Sequence, residues 1–99
     1  MNITVNELKD RLILHEPIRI IDVREELEFH TFNIGGENIP LGTLLAEASE
    51  LEYEKDQEII VVCQRGLRSE TARRVLLSHG YFKVKNLTGG LLAWHRAQL

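Results

Sequence analysis

The chain contains a single cysteine, Cys63, in surroundings that favour thiolate chemistry. It follows a β-branched apolar run at residues 59–62 and precedes a compact polar loop and a helical pattern that begins near Ser69. This order predicts a strand, a tight loop and a helix. The first turn of such a helix has unpaired backbone N–H groups and a partial positive charge, to which Arg65 and Arg68 add formal charge. Such surroundings lower a cysteine pKa from about 8.5 to between about 3.5 and 7.5, so we expect Cys63 to act as a nucleophile at neutral pH.

The alternative for Cys63 is a structural role, because free cysteines are often buried and behave as small hydrophobes. Two arginines and a glycine within five residues of it favour chemistry instead. Between Cys63 and Arg74 four arginines oppose one glutamate, whereas the whole chain has a formal net charge of -3. An isolated positive site on an acidic chain suits a small anionic substrate. Nucleic acid needs a broad basic surface, so we expect no nucleic-acid partner.

The length and cysteine content predict a single cytoplasmic domain over residues 1–99. The first residues contain no basic stretch followed by an apolar run, so we expect no secretory signal. No segment is long and apolar enough to cross a bilayer, and we expect no membrane association. One cysteine forms no disulfide within the chain, which is typical of a reducing compartment.

The elements that would position Cys63 alternate between strands and helices. Apolar runs predict strands at residues 3–5, 18–23, 59–62 and 82–87, with a brief extended piece at 39–40. Apolar spacing predicts helices after Asn6 and Thr88, which would be their N-caps, and others from about residues 25, 41 and 69. This alternation predicts an α/β fold with a small parallel sheet of about five strands, right-handed crossovers and helices on both faces.

Asp22 and Arg24 stand at the carboxyl end of the predicted strand at residues 18–23, where open α/β sheets place ligands. A direct role in the site and a structural ion pair or loop anchor are both open for them. The acidic residues between 47 and 58 define no coordination cage, and the four histidines are scattered singly. We therefore expect no metal site and no cofactor.

Four segments are similar, in order, to the signatures of one protein family. They are Asp-Val-Arg-Glu at residues 22–25 with Glu-Phe at 28–29, Asn-Ile-Pro-Leu at 38–41, the loop at 63–69, and Leu-Thr-Gly-Gly-Leu-Leu-Ala-Trp at 87–94. On these motifs, most of the chain resembles a single-domain member of the rhodanese family, the sulfurtransferases that carry sulfur as a cysteine persulfide. The resemblance implies one rhodanese-like domain.

The resemblance also implies a two-step persulfide cycle on Cys63. The thiolate would attack the outer sulfur of a donor such as thiosulfate, release sulfite and keep one sulfur, which cyanide or a thiol then takes. Loop residues would bind the sulfur donor through backbone amides and arginine side chains. These residues are Gln64, Arg65, Gly66, Leu67, Arg68 and Ser69. Because the chain has no second cysteine, the acceptor must be external: a thiol, a thiol protein or cyanide. We expect the protein to be a monomer.

Two alternatives use the same architecture. Protein phosphatases and arsenate reductases have an arginine six residues after the cysteine, whereas here Ser69 stands at that position and Arg68 comes one residue earlier. The loop is shorter by one residue, or up to about 3.5 Å of contour, so a tetrahedral phosphate should fit poorly. The other alternative is a rhodanese-like module that binds a partner protein or relays sulfur to it. Such modules often lack the cysteine that this chain has.

The chain departs from the family pattern at residues 33–37. The usual His-Ile-Pro-Gly-Ala turn is Asn-Ile-Gly-Gly-Glu here, and it is one residue shorter before Ile39 and Pro40. Because this turn follows the strand at residues 18–23, we expect it to border the site and to influence which sulfur donor or acceptor fits.

Overall fold

The computed structural model describes residues 1–98, in which short parallel strands alternate with helices. The strands are β1 (Asn2–Ile3), β2 (Ile18–Asp22), β3 (Glu37–Asn38), β4 (Glu58–Val62) and β5 (Val84–Leu87). The helices are α1 (Val5–Ile13), α2 (Glu26–Thr31), α3 (Leu41–Glu47), α4 (Leu67–Ser78) and α5 (Gly90–Ala97), and a 3-10 turn covers Ala48–Glu50. No helix within residues 1–98 has the length and apolar character that crossing a bilayer requires.

The five strands form one parallel sheet in the order β1-β5-β4-β2-β3, which confirms the predicted architecture. Helices cover both faces. One apolar cluster lies against α3 and α4 and includes Ile59 and Val61, while the other lies against α1 and α5 and includes Ile60 and Val62. Successive side chains of β4 therefore enter opposite clusters. This explains the uninterrupted apolar run at residues 59–62, because a central strand of a parallel sheet is buried on both faces.

The predicted helix caps at Asn6 and Thr88 are wrong. Thr4 caps α1 instead: its Oγ1 accepts a hydrogen bond from the Glu7 N–H at 3.1 Å, and its own N–H donates to the Glu7 carboxylate at 2.9 Å. This reciprocal pair is a capping box, in which two unpaired backbone donors are satisfied at once. Gly89, with a φ of 75°, occupies the cap position of α5. Its left-handed conformation costs glycine little.

The middle strand, β4, carries the chain to the edge of the sheet where the candidate site lies. Val62 pairs with Asp22 of β2, and Val61 pairs with Asn86 of β5. The carboxyl ends of these three neighbouring strands therefore meet around Cys63, at the edge where parallel α/β sheets place ligands.

Candidate active site

Cys63 directly follows β4, and its sulfur faces the first turn of α4. Sγ accepts hydrogen bonds from the backbone N–H of Gly66, at 3.0 Å, and from that of Ser69, at 3.3 Å. The Ser69 hydroxyl oxygen lies 3.2 Å from the same sulfur. The residue is only 1% exposed and belongs to the apolar cluster under α4, so one side of the side chain is packed while the sulfur meets polar groups.

These contacts favour the charged form of the thiol. Burial acts to raise the pKa of Cys63, but a hydrogen bond from the Ser69 hydroxyl, formed when its proton faces the sulfur, and hydrogen bonds from the backbone amides of Ser69, Gly66 and Arg65 outweigh it. The pKa therefore lies below the ordinary value for cysteine. Hydrogen bonds to a thiolate stabilise it relative to the thiol, and a thiolate is the nucleophilic form. The hydrogen bonds that lower this pKa thus come chiefly from amides and one hydroxyl, not from guanidinium groups.

Two glycines give the loop its shape. Gly66 has a φ of 94°, a left-handed conformation that bends the chain so that its own amide and that of Ser69 both reach the sulfur. Gly90 lies where α5 begins, and a Cβ there would come within 2.5 Å of the Cys63 carbonyl oxygen. The Leu91 N–H donates to that same oxygen at 2.9 Å. The first turn of α5 therefore holds the start of the loop in place.

The site opens to solvent through a shallow cavity of about 270 Å³. Its lining consists of Glu28, Cys63, Gln64, Arg65, Leu67 and Arg68. Four of the six loop residues predicted to bind the sulfur donor therefore face this cavity. The other two, Gly66 and Ser69, lie against the sulfur itself and contact it through their backbone amides.

The two arginines of the loop differ in their surroundings. The Arg68 guanidinium forms a two-point ion pair with Glu28 of α2, at 2.8 and 3.1 Å. This hydrogen bonding lowers the pKa of Glu28 to about 2. Arg65 is exposed and forms no ion pair with any residue in the described part of the chain. The uncompensated positive charge at the mouth is therefore that of Arg65.

Asp22 and Arg24 form a buried ion pair beside the site. The Arg24 side chain donates to the Asp22 carboxylate at 2.9 to 3.2 Å and to the Phe32 carbonyl oxygen at 2.6 Å. The Asn38 side chain donates at 3.0 Å to the backbone oxygens of both paired residues. These contacts join the end of β2 to α2 and β3. Among residues 1–98, the structure contains no group of three or more ligating side chains that could hold a metal ion.

No residue of the turn at 33–37 lines the Cys63 cavity, so the expectation that it borders the site is wrong. Ile34 and Gly36 line a different cavity of about 660 Å³, together with Ile18 and neighbouring residues of β2. Gly36 has a φ of 86°, and a Cβ there would lie 2.4 Å from the Ile20 carbonyl oxygen. Gly36 therefore fits this turn against β2.

The sequence prediction missed two residues that complete the site. One is Glu28, which the resemblance marks only as part of an acidic-aromatic pair. The other is Asn86 of β5, whose Oδ1 lies 2.5 Å from Ser69 Oγ and whose Nδ2 lies 3.0 Å from the Gly66 carbonyl oxygen. Asn86 is 7% exposed. An amide between buried residues of a strand is a detectable signal, because polar groups are buried only with hydrogen-bond partners.

The chain is similar in sequence to known proteins. A family model described as the rhodanese-like domain matches residues 4–97. The chain is 36% identical over 93 residues to the "Putative sulfur carrier protein YrkF" of Bacillus subtilis, covering 93% of this chain and 49% of YrkF. The chain thus spans about half the length of that relative. It is also 29% identical to the thiosulfate sulfurtransferase GlpE of Shewanella oneidensis, covering 97% of this chain and 93% of GlpE.

The fold is shared with solved structures. A human single-domain sulfurtransferase, TSTD1, superposes with a TM-score of 0.85 at 26% sequence identity. The superposition covers 96% of this chain and 95% of TSTD1. The architecture predicted from the motifs is therefore the architecture of this structural neighbour.

Proposed function

We infer the function from the fact that the chain belongs to the rhodanese-like domain family, and we propose that it is a sulfurtransferase that works through a persulfide on Cys63. It would move sulfane sulfur from a small anionic donor such as thiosulfate to a nucleophilic acceptor. The observation that carries this proposal is the Cys63 sulfur, which two loop amides contact at 3.0 and 3.3 Å at the base of a solvent-open cavity. The names of YrkF and GlpE support sulfur transfer, and that of GlpE supports thiosulfate.

The first half of the reaction loads the protein. The Cys63 thiolate attacks the outer sulfur of thiosulfate, a new sulfur–sulfur bond forms, and the sulfur–sulfur bond of thiosulfate breaks. The electron pair of the broken bond leaves with sulfite. Cys63 then carries a negatively charged persulfide, which is a covalent intermediate of the kind that gives ping-pong kinetics.

The second half discharges the persulfide. Cyanide or an external thiolate attacks the outer sulfur, and the electron pair of the broken bond returns to Cys63 as a thiolate. Because the nucleophile starts and ends as a thiolate, no neighbouring base is needed. The lowered pKa of Cys63 supports this route.

The cavity lining suggests distinct roles for the loop residues. The exposed charge of Arg65 would attract the sulfonate group of the donor, and the loop amides would hold the outer sulfur as preorganised hydrogen-bond donors. Arg68 would contact the sulfonate group only when its ion pair with Glu28 opens. Gln64 and Leu67 would form the rim. Asp22 and Arg24 would support the loops from behind, without contact to the sulfur donor.

Transfer of sulfur to a partner protein is the second candidate function. Leu67, which is 77% exposed, lines the Cys63 cavity where a thiol protein would approach. Leu27, which is 79% exposed, lines a second cavity that shares Glu28 and Gln64 with the first. YrkF, named as a sulfur carrier, supports this possibility. With one cysteine in the chain, either function requires an external acceptor. We also propose that the monomer acts in the cytoplasm, where a lone thiolate stays reduced.

Phosphoryl chemistry finds less support in the loop. Ser69, at the position where a phosphatase has its arginine, is buried and lies 2.5 Å from Asn86. Arg68 is paired with Glu28. Neither position therefore offers an unpaired guanidinium fork to bind a phosphate above Cys63.

The test is thiocyanate formation from thiosulfate and cyanide by the wild type and by Cys63→Ala. The wild type should form thiocyanate, and the variant should remain at the uncatalysed rate. Equal rates would refute the proposal. Hydrolysis of a generic phosphate ester that is lost in Cys63→Ser would instead favour a phosphatase.

A further inference from the structure

The buried side-chain amide of Asn86 contacts two parts of the Cys63 loop. Its Nδ2 lies 3.0 Å from the carbonyl oxygen of Gly66 and 3.5 Å from a carboxylate oxygen of Glu70. Its Oδ1 lies 2.5 Å from the hydroxyl oxygen of Ser69. That hydroxyl is in turn 3.2 Å from the Cys63 sulfur. One side chain of β5 is therefore connected to the nucleophile through a single intervening group.

The partners of Asn86 determine which end of its amide faces which neighbour. The Gly66 carbonyl and the Glu70 carboxylate accept hydrogen bonds and do not donate them, so the amide NH₂ group must face them. The amide oxygen then faces Ser69. Because an amide oxygen only accepts, the Ser69 hydroxyl must donate to it.

A serine hydroxyl has one proton, so this donation has a consequence for Cys63. While the Ser69 proton points to Asn86, only oxygen lone pairs face the sulfur. A Cys63 thiol suits this arrangement, because its S–H can donate to the Ser69 oxygen. A negatively charged sulfur does not, because lone pairs then face a charge of the same sign.

The Ser69 hydroxyl can stabilise the thiolate only if it turns toward the sulfur. That rotation leaves the side-chain oxygen of Asn86, a residue only 7% exposed, without a donor, which is costly for a buried polar group. Asn86 and the charged sulfur therefore compete for one proton. Asn86 also helps to stabilise the thiolate. Its NH₂ group holds Gly66, whose own N–H donates to the sulfur at 3.0 Å.

We propose that Asn86 is a positioning residue that restrains the Cys63 thiolate by holding the Ser69 proton, while it anchors the loop at Gly66. The residue acts through Ser69 and Gly66, since its own contacts are with the loop and with Glu70. The link to sulfur transfer rests on the proposed function, whereas the competition for the proton concerns the ionisation of Cys63 alone.

The test compares the effect of Ser69→Ala in two backgrounds, the wild type and Asn86→Leu. The readout is the pH dependence of alkylation by iodoacetamide, which gives the pKa of Cys63 alone because the chain has no other cysteine. In the wild type, Ser69→Ala should raise that pKa by less than about half a pH unit, because Asn86 already engages much of the hydroxyl's capacity to donate. In Asn86→Leu the hydroxyl is free to donate, so Ser69→Ala should raise the pKa by about 1 to 2 pH units, as expected for a hydrogen bond to a charged group.

The comparison separates competition for the proton from loosening of the loop. Asn86→Leu and the double variant that adds Ser69→Ala both lack the hydrogen bond to Gly66. The effect of that loss on the Cys63 pKa is the same in both proteins, so it cancels when the two pKa values are subtracted. Thermal melting confirms that each variant is folded, and Asn86→Ala replaces Asn86→Leu if the leucine is not accommodated. An equal or larger effect of Ser69→Ala in the wild type would overturn the inference. Because alkylation needs no sulfur donor, this result is independent of whether the protein forms thiocyanate.

Discussion

The ion pair between Glu28 and Arg68 leads to a prediction about the sulfur donor. Glu28 lies at the mouth of the site and neutralises one of its two arginines, at 2.8 and 3.1 Å. Glu28→Gln removes one negative charge and frees Arg68 to face the cavity. The glutamine keeps a carbonyl oxygen that can accept the Glu25 N–H, which the carboxylate accepts at 2.9 Å at the start of α2. We therefore expect the substitution to change the charge of the site without unfolding the helix.

The size of the effect follows from Coulomb's law. For a dianion such as thiosulfate at roughly 6 Å from the Glu28 carboxylate, a water-like dielectric constant of about 80 gives about 1.4 kcal/mol of repulsion removed. This corresponds to about a tenfold gain in kcat/KM for thiosulfate at low salt. At physiological ionic strength, where the Debye length is about 8 Å, the gain should fall to about threefold.

The assay is thiocyanate formation at two salt concentrations, with Glu26→Gln as the matched control. Glu26 lies on the same helix and carries the same charge, but its side chain is 80% exposed and lies near His30 instead of Arg68. The control should change kcat/KM by less than about twofold, because an exposed and distant charge is strongly screened. Alkylation adds a second measurement: Glu28→Gln should accelerate anionic iodoacetate more than neutral iodoacetamide. A fall in kcat/KM with Glu28→Gln would refute this reasoning and would mean that Glu28 orients Arg68 for the sulfur donor.

Two further predictions concern the scaffold. Gly90→Ala should lower both the melting temperature and the alkylation rate of Cys63, because its Cβ would lie 2.5 Å from the Cys63 carbonyl oxygen at a φ of 63°. The control is Gly42→Ala, because a Cβ at Gly42 meets nothing within 4 Å. It should preserve the alkylation rate and raise the free energy of unfolding by up to about 1 kcal/mol. Similar changes in the two variants would contradict this account. Hydrogen bonding from Arg11 lowers the pKa of Glu58 to about 2, below the 4.5 of an unperturbed glutamate. The stability from this pair should therefore be complete above about pH 4.5 and be lost as the pH falls toward 2. Denaturant unfolding should show that the free energy of unfolding depends less on pH in Glu58→Gln than in the wild type across that range. The same pH dependence in both proteins would contradict the assignment.

The sequence was sufficient to predict the sheet and the strand-loop-helix that holds Cys63, because both are encoded locally. The β-branched run before Cys63 can be buried on both faces only as a central strand, and the loop glycine with the helical pattern after it completes the strand-loop-helix. The resemblance to the rhodanese family then indicated one rhodanese-like domain. The cap of α1 was missed because Thr4 and Asn6 are both suitable cap residues, and the choice depends on which is matched by Glu7 three residues later.

The remainder of the site depends on contacts between distant parts of the chain. Arg68 and Glu28 are separated by 40 residues, and Ser69 and Asn86 by 17. No local pattern indicates which carboxylate an arginine will contact, so both loop arginines were expected to attract the sulfur donor alike. The turn at residues 33–37 was likewise expected at the rim, but its place is set by packing of Gly36 on β2.

The most direct test of the persulfide is the mass of the intact protein after incubation with thiosulfate. The wild type should gain the mass of one sulfur atom and lose it when cyanide is added, whereas Cys63→Ser should gain none. A wild-type mass that stays unchanged under conditions where thiocyanate forms, or the same adduct on Cys63→Ser, would contradict sulfur transfer through Cys63.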